Sequence, residues 1–186
     1  VAARIVEVEA YGGLEDAASH ATMYAAGRRI LATEPGHLYM QFAYGMHTMT
    51  NIVAHEPGGL GAVLIRAADD PVSGLAIVQE RRRRGSPLLS GPGTVSQGMG
   101  IAMGDLGERL DGRCGIAIVP GQPVAEVHAS PRIGITKAAH AEWRLFDPDS
   151  AAVSRHRRGR RVTAVDLPEI IGQLEPDHVS ESPGTS

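Results

Sequence analysis

The 186-residue sequence has one cysteine, one lysine and one tryptophan, and aromatic residues make up only 4% of it. With Cys114 alone, an intrachain disulfide and a cysteine-rich zinc site are both excluded. No apolar run reaches the ~18 residues that a membrane-spanning helix needs. Arg4, Glu7 and Glu9 interrupt the opening segment before any apolar stretch develops, so it does not read as a signal peptide. A reducing cytoplasm is therefore the expected setting. The chain starts with Val inside a strand-like pattern, and an N-terminal segment is expected to be missing. There is no His-x-Glu with Cys-x-x-Cys, which excludes a zinc deaminase. His-Glu-x-x-His, Gly-x-Ser-x-Gly and a phosphate loop ending Gly-Lys-Ser/Thr are absent as well.

What the sequence does contain is enough apolar material for a core: 42% hydrophobic residues against 21% charged. The length suits one domain. The net charge of −3 argues at first against nucleic acid, but it is unevenly spread. Of the 21 acids, five (Asp166, Glu169, Glu175, Asp177 and Glu181) lie in residues 162–186, where there is no Lys or Arg. Residues 1–161 thus hold 18 bases against 16 acids, and 17 of those bases are Arg. Guanidinium forks suit phosphate oxygens, although genomic composition also produces such a bias.

Residues 3–11 alternate, placing Ile5, Glu7, Glu9 and Tyr11 on one face of a strand and Val6, Val8 and Ala10 on the other. Residues 15–26 read as a short helix. Residues 37–44, 47–54 and 61–68 read as strands, the last with Arg66 inside an apolar run. A helix is expected from Pro71 to about Arg84 and another over 94–103. Residues 114–119 read as a strand. Ile133-Gly134-Ile135 and residues 143–146 flank a polar loop. The last dozen residues look disordered. Many strands with few helices between them favour an α+β single domain over a regular βαβ array: a mixed, mostly antiparallel curved sheet with flanking helices.

Glu9 is the most suggestive single residue. A carboxylate inside an apolar strand either pairs with an Arg or activates water, and on spacing alone pairing is the commoner outcome. His20 alone is more often a hydrogen-bonded histidine than a catalyst. The Arg81–Arg84 run reads first as the solvated end of a helix. The Arg155–Arg161 cluster could touch nucleic acid, or the acidic stretch behind it could neutralise it.

Arg4-Ile5-Val6-Glu7-Val8-Glu9-Ala10-Tyr11, followed by Glu15-Asp16-Ala17-Ala18-Ser19-His20, resembles the signature of the alkyladenine (3-methyladenine) DNA glycosylase family. So do Pro35-Gly36-His37-Leu38-Tyr39, Tyr44-Gly45-Met46-His47 with Asn51-Ile52, and Val63-Leu64-Ile65-Arg66-Ala67. Ser90-Gly91-Pro92-Gly93, and Arg132-Ile133-Gly134-Ile135 with Trp143-Arg144, complete the series. The blocks stand in family order over roughly residues 3–146. The family normally has a further segment ahead of Arg4.

The resemblance implies a DNA repair enzyme of base excision. It pinches a damaged duplex, extrudes one nucleotide and hydrolyses the N-glycosidic bond of an alkylated or deaminated purine. It implies a catalytic domain over residues 1–161 and an acidic, disordered tail over 162–186. Glu9 matches the general base and Arg66 a residue near the attacking water. Tyr11 matches one stacking wall of the base pocket, His20 a reader of the purine edge, and Asn51 the side chain that crowds guanine's exocyclic amine. Tyr44 matches the wedge that fills the gap left in the duplex, with Met46 and His47 as neighbouring DNA contacts. The opposite stacking wall, aromatic in the family, is Gln41 here. The segment between His20 and Pro35 is shorter than in the family. Thr94 follows the Ser90–Gly93 loop where Lys or Asn is usual. No metal or organic cofactor is expected. The lone Lys137 lies outside the matched pocket, which leaves no Schiff-base nucleophile and implies a monofunctional enzyme. The expected partner is double-stranded DNA carrying a damaged purine, met by a monomer in a bacterial-type nucleoid and not at a membrane. Two other readings remain at this point: the same chemistry on an unusual adduct or a nucleoside, and a non-catalytic DNA-binding remnant.

Overall fold

The computed structural model describes residues 1–43, 45, 47–83, 85–155, 158–166 and 169–170. Seven strands form one antiparallel sheet among them: β1 (Ile5–Tyr11), β2 (Leu38–Ala43), β3 (His47–Val53), β4 (Ala62–Ala68), β5 (Val127–Ser130), β6 (Arg144–Phe146) and β7 (Arg160–Val162). Their order across the sheet is β2-β3-β4-β1-β6-β5-β7. The helices are α1 (His20–Met23), α2 (Ala25–Leu31), α3 (Leu75–Arg82) and α4 (Pro92–Met99). The expected α+β single domain is thus the observed one.

Successive residues of a strand face opposite sides of its sheet, and the two sides here serve different ends. Ile52 of β3, Val63 and Ile65 of β4 and Val8 of β1 pack with Val78, Leu88, Leu89 and Val95, on the side of α3 and α4. On that side Thr50 and Ser96 satisfy each other's hydroxyls at 2.8 Å. Full burial of each such aliphatic side chain contributes on the order of 1.5–3 kcal/mol. The intervening residues Met49, Asn51, Leu64 and Arg66 face the other way, into a cavity roofed by α1 and α2. Ala21 and Leu31 of those helices pack on Tyr39, Val53 and Ala62.

β1 lies at the sheet's centre, paired with β4 on one edge and β6 on the other. Its register shifts between Ile5 and Val8. Val6 therefore packs with Phe146, Ala152 and Val153, while Val8 joins the helix side. The expected alternation holds from Glu7 to Tyr11, and the bulge alters it before that.

Several expectations need correction. Residues 15–26 are not one helix. A turn organised by Asp16 occupies residues 13–19, Ser19 caps α1 by accepting from the Ala21 amide, and α2 continues to Leu31. The helices expected to reach Arg84 and to cover 94–103 are α3, which ends at Arg82, and α4, which starts at Pro92 and ends at Met99. Residues 114–119 form no strand: beyond a single bridge between Asp111 and Ala117 they pair with no strand among the described residues, and Ile118 and Val119 are exposed. β5 and β7 had no clear sequence signal, since each is short and β7 lies within the arginine-rich segment. The boundary drawn at residue 161 falls inside β7, and Val162 and Ile170 are buried with Trp143. The expected tail beyond Ile170 lies outside the described residues.

Candidate active site

The Glu9 side chain is fully buried, yet its carboxylate is surrounded by donors rather than by hydrocarbon. Oε1 accepts from the Ile133 amide at 2.7 Å. Oε2 accepts from the Tyr11 hydroxyl at 2.9 Å and from Arg66 Nη1 at 3.2 Å. A carboxylate offers about four acceptor positions; three are taken by described residues, and the spare one at Oε1 lies beside the Ile133 amide. The partners Tyr11, Arg66 and Ile133 all line a cavity of about 520 Å³. The carboxylate thus sits directly behind the cavity wall.

A second carboxylate supports the first. Glu7 is also fully buried and accepts from Arg144 Nε at 2.6 Å, and from the Ser154 amide and hydroxyl at 2.8 and 2.9 Å. Arg66 Nε lies 3.3 Å from its Oε1. Arg144 in turn donates to the Ser130 hydroxyl at 2.8 Å and lies 4.1 Å over the Phe146 ring. Two carboxylates and two guanidiniums therefore balance inside the sheet, which removes most of the penalty for burying any one of them.

Tyr11 is held from two directions. Its hydroxyl is tied to Glu9, and the Arg132 guanidinium covers one ring face at 4.7 Å. The same guanidinium lies 5.2 Å from the Trp143 ring. Burial and the neighbouring Glu9 carboxylate both push the Tyr11 hydroxyl to a higher pKa, so it stays protonated and donates. Arg132 is neutralised by Asp16, with contacts of 2.6 and 2.9 Å. Asp16 also accepts from the amides of Gly12 and Ala18, fixing the turn that follows β1.

On the far side of the cavity, His20 Nδ1 and the Tyr39 hydroxyl are 2.5 Å apart. Burial lowers the pKa of His20, which favours the neutral ring at physiological pH. Asn51 Nδ2 donates to the Tyr39 carbonyl at 3.1 Å, which fixes the orientation of its amide. Gln41 and His47 also line the cavity. The α4 loop closes one side. Gly91 has φ of +111°, a conformation that side chains rarely adopt. A Cβ on Gly93 would come within 3.0 Å of the His47 ring.

The structure brings most of the residues singled out in the sequence together. Tyr11, His20, Gln41, His47, Asn51 and Arg66 line one cavity with Glu9 behind it. Tyr44 and Met46 lie outside the described residues. Phe42 points to the opposite face, 59% exposed, and Tyr24 is 57% exposed; neither reaches the cavity to replace an aromatic at Gln41. Sequence reasoning missed the roles of Asp16, Arg132, Glu7 and Arg144, and of the Ile133 amide. The first four do stand within the motif blocks, but nothing local reveals that partners up to 137 residues apart will meet. Among the described residues no group of three or more His, Cys, Asp or Glu could hold a metal ion.

A family profile described as methylpurine-DNA glycosylase (MPG) matches residues 1–151. The chain belongs to the methylpurine-DNA glycosylase family. A relative from Chlorobaculum parvum is 44% identical over 161 residues, which is 84% of this chain and 77% of that protein. One from Mycolicibacterium fortuitum is 41% identical over 176 residues, covering 88% and 89%. One from Nitrosococcus oceani is 41% identical over 162 residues, covering 83% and 80%. Each is named "Putative 3-methyladenine DNA glycosylase". The resemblance drawn from the sequence blocks is therefore borne out. So is the reading as a monofunctional glycosylase of DNA repair that removes alkylated purines. Among the described residues no helix is long and apolar enough to cross a membrane.

Proposed function

We propose that this methylpurine-DNA glycosylase excises alkylated or deaminated purines from double-stranded DNA by water attack directed by Glu9. The observation that carries the reading is the Glu9 carboxylate, fixed by Tyr11, Arg66 and the Ile133 amide against the wall of a base-sized cavity. A water at the spare Oε1 position gives its proton to the carboxylate as its oxygen attacks C1′. The N-glycosidic bond breaks, and its electron pair leaves with the purine. A cationic purine departs neutral. A neutral one such as hypoxanthine departs as its anion and takes up a proton from water, while protonated Glu9 returns its own to solvent. The abasic sugar keeps the new hydroxyl. Arg66 orients the carboxylate and the Ile133 amide holds its other oxygen.

Tyr11 supplies one stacking face for the extruded base, stiffened from behind by Arg132. Asp16 cancels the charge of that guanidinium, so a cationic purine meets a π face and not a bare positive charge. His20, kept neutral by burial and paired with the Tyr39 hydroxyl, reads the purine edge. Asn51 limits the space beside it, and Gln41 forms the opposite wall. Tyr44 is assigned as the wedge for the vacated stack, and Met46 and His47 as further DNA contacts. The reading includes action as a monomer, and a DNA substrate favours work in the nucleoid.

A duplex oligonucleotide with one 3-methyladenine or hypoxanthine tests the reading. The free base should be released with the strand left intact until alkali is added. Binding without release would overturn it.

A further inference from the structure

Resting on the glycosylase reading above, we propose that Arg155 and Arg158 form a phosphate-binding cleft that grips the DNA backbone next to the extruded nucleotide. Arg155, Arg158, Ser130, Pro131, Arg132, Ile133 and Gly134 surround a cleft of about 460 Å³. Ile133 and Gly134 also line the base cavity, so cleft and cavity share a wall. A nucleotide extruded into the cavity would bring its flanking phosphates to this rim.

The arginine-rich segment divides into two kinds of residue. Arg160 and Arg161 are occupied. Arg160 Nε lies 2.6 Å from Glu142, with Asp166 and Glu169 at 3.7 and 4.0 Å, and Arg161 lies 3.8 Å from Glu126. Asp166 and Glu169 belong to the acidic C-terminal stretch, so that stretch does neutralise part of the cluster. Asp166 and Glu169 leave two others untouched: among the described residues Arg155 and Arg158 have no carboxylate within 4.0 Å and no hydrogen-bond partner, and both are exposed. Arg132, the third guanidinium of the cleft, is buried and committed to Asp16. The two free charges therefore face the cleft in a protein whose net charge is −3, where unpaired cations beside the cavity decide how an anionic polymer docks. Guanidinium forks suit phosphate oxygens, and such contacts set register without reading sequence.

Backbone contacts release counterions, with a slope of about −0.9 in log K against log salt per phosphate neutralised. For Arg155→Gln/Arg158→Gln the slope for lesion-containing duplex should be shallower by about 1.8. The affinity deficit should then shrink about tenfold between ~50 and ~200 mM salt. Each single variant should lose half of that slope change, Arg155→Lys/Arg158→Lys should retain the native slope, and Arg161→Gln should leave it unchanged. Single-turnover excision at saturating enzyme should stay within about twofold of native for the double variant. Native-like excision with an unchanged salt slope in the double and both single variants would overturn the phosphate assignment while leaving the glycosylase reading intact. Binding by the native protein with no base release would overturn the glycosylase reading instead.

Discussion

Asp16 and Arg132 are 116 residues apart in the chain, yet they form a two-pronged ion pair with both side chains fully buried. The pair ties the turn after β1 to the loop that carries the Ile133 amide. It thereby joins two of the walls that face the base.

Breaking this pair should be costly. Asp16→Asn leaves the Arg132 charge buried with a weakened partner, and the expected loss is about 3–5 kcal/mol of unfolding free energy. Burial alone would raise the Asp16 pKa; the Arg132 fork and the amides of Gly12 and Ala18 outweigh it and hold the carboxyl below its ordinary range. A depressed folded-state value means that the unfolded chain binds the proton more readily. The contribution is therefore complete above the ordinary Asp value of ~3.9 and is lost as pH falls through the folded-state value. Denaturant titrations of both proteins from neutral pH into acid should converge in the acid range.

Glu9→Gln keeps the shape of the side chain and removes its basicity. Single-turnover release of hypoxanthine should drop by at least ~10²-fold, while affinity for the lesion duplex stays near native. A variant as fast as the native protein would move the base elsewhere.

Gln41 replaces a π face with one acceptor and two donors, and neither Phe42 nor Tyr24 lines the cavity to compensate. The native protein should favour neutral lesions over cationic ones. Gln41→Tyr should raise excision of 3-methyladenine by ~10-fold, the equivalent of one stacking contact of ~1–2 kcal/mol. Hypoxanthine should gain less. An unchanged ratio of the two rates would remove Gln41 from the pocket wall.

Asn51→Ser should open space for an exocyclic amine and raise release of guanine-derived bases relative to adenine-derived ones. It also deletes the hydrogen bond to the Tyr39 carbonyl, so a stability loss of about 1 kcal/mol should accompany the change. Thermal melts and competitive excision assays separate the two effects.

The strands that place the site were legible because their signals are local. β1, β2, β3 and β4 alternate or run apolar over six or seven residues, and the blocks carrying Glu9, Tyr11, His20, Asn51 and Arg66 lie on them or next to them. β5 and β7, of four and three residues, are too short to show a period and exist because β6 and β5 offer them a paired edge. The stretch Cys114–Val119 failed for the converse reason: its apolar composition suits a strand, but among the described residues it pairs only at the Asp111–Ala117 bridge. The network behind the site was illegible because its partners, Glu7 with Arg144 and Asp16 with Arg132, meet only once the sheet is complete.

The central position of β1 has a consequence for the order of events during synthesis. The strand that bears Glu9 precedes β6, one of its two flanking partners, by some 130 residues, and Ile133 and Arg144 come with that later portion. Pairings that span so much chain form late and together. A nascent or clipped chain that holds Glu9 and Tyr11 but ends before residue 132 lacks the Ile133 amide that holds Glu9 and the Arg132 guanidinium that covers Tyr11. Base removal should therefore begin only when the domain is whole, so that an early fragment of this chain leaves the purines of the genome in place.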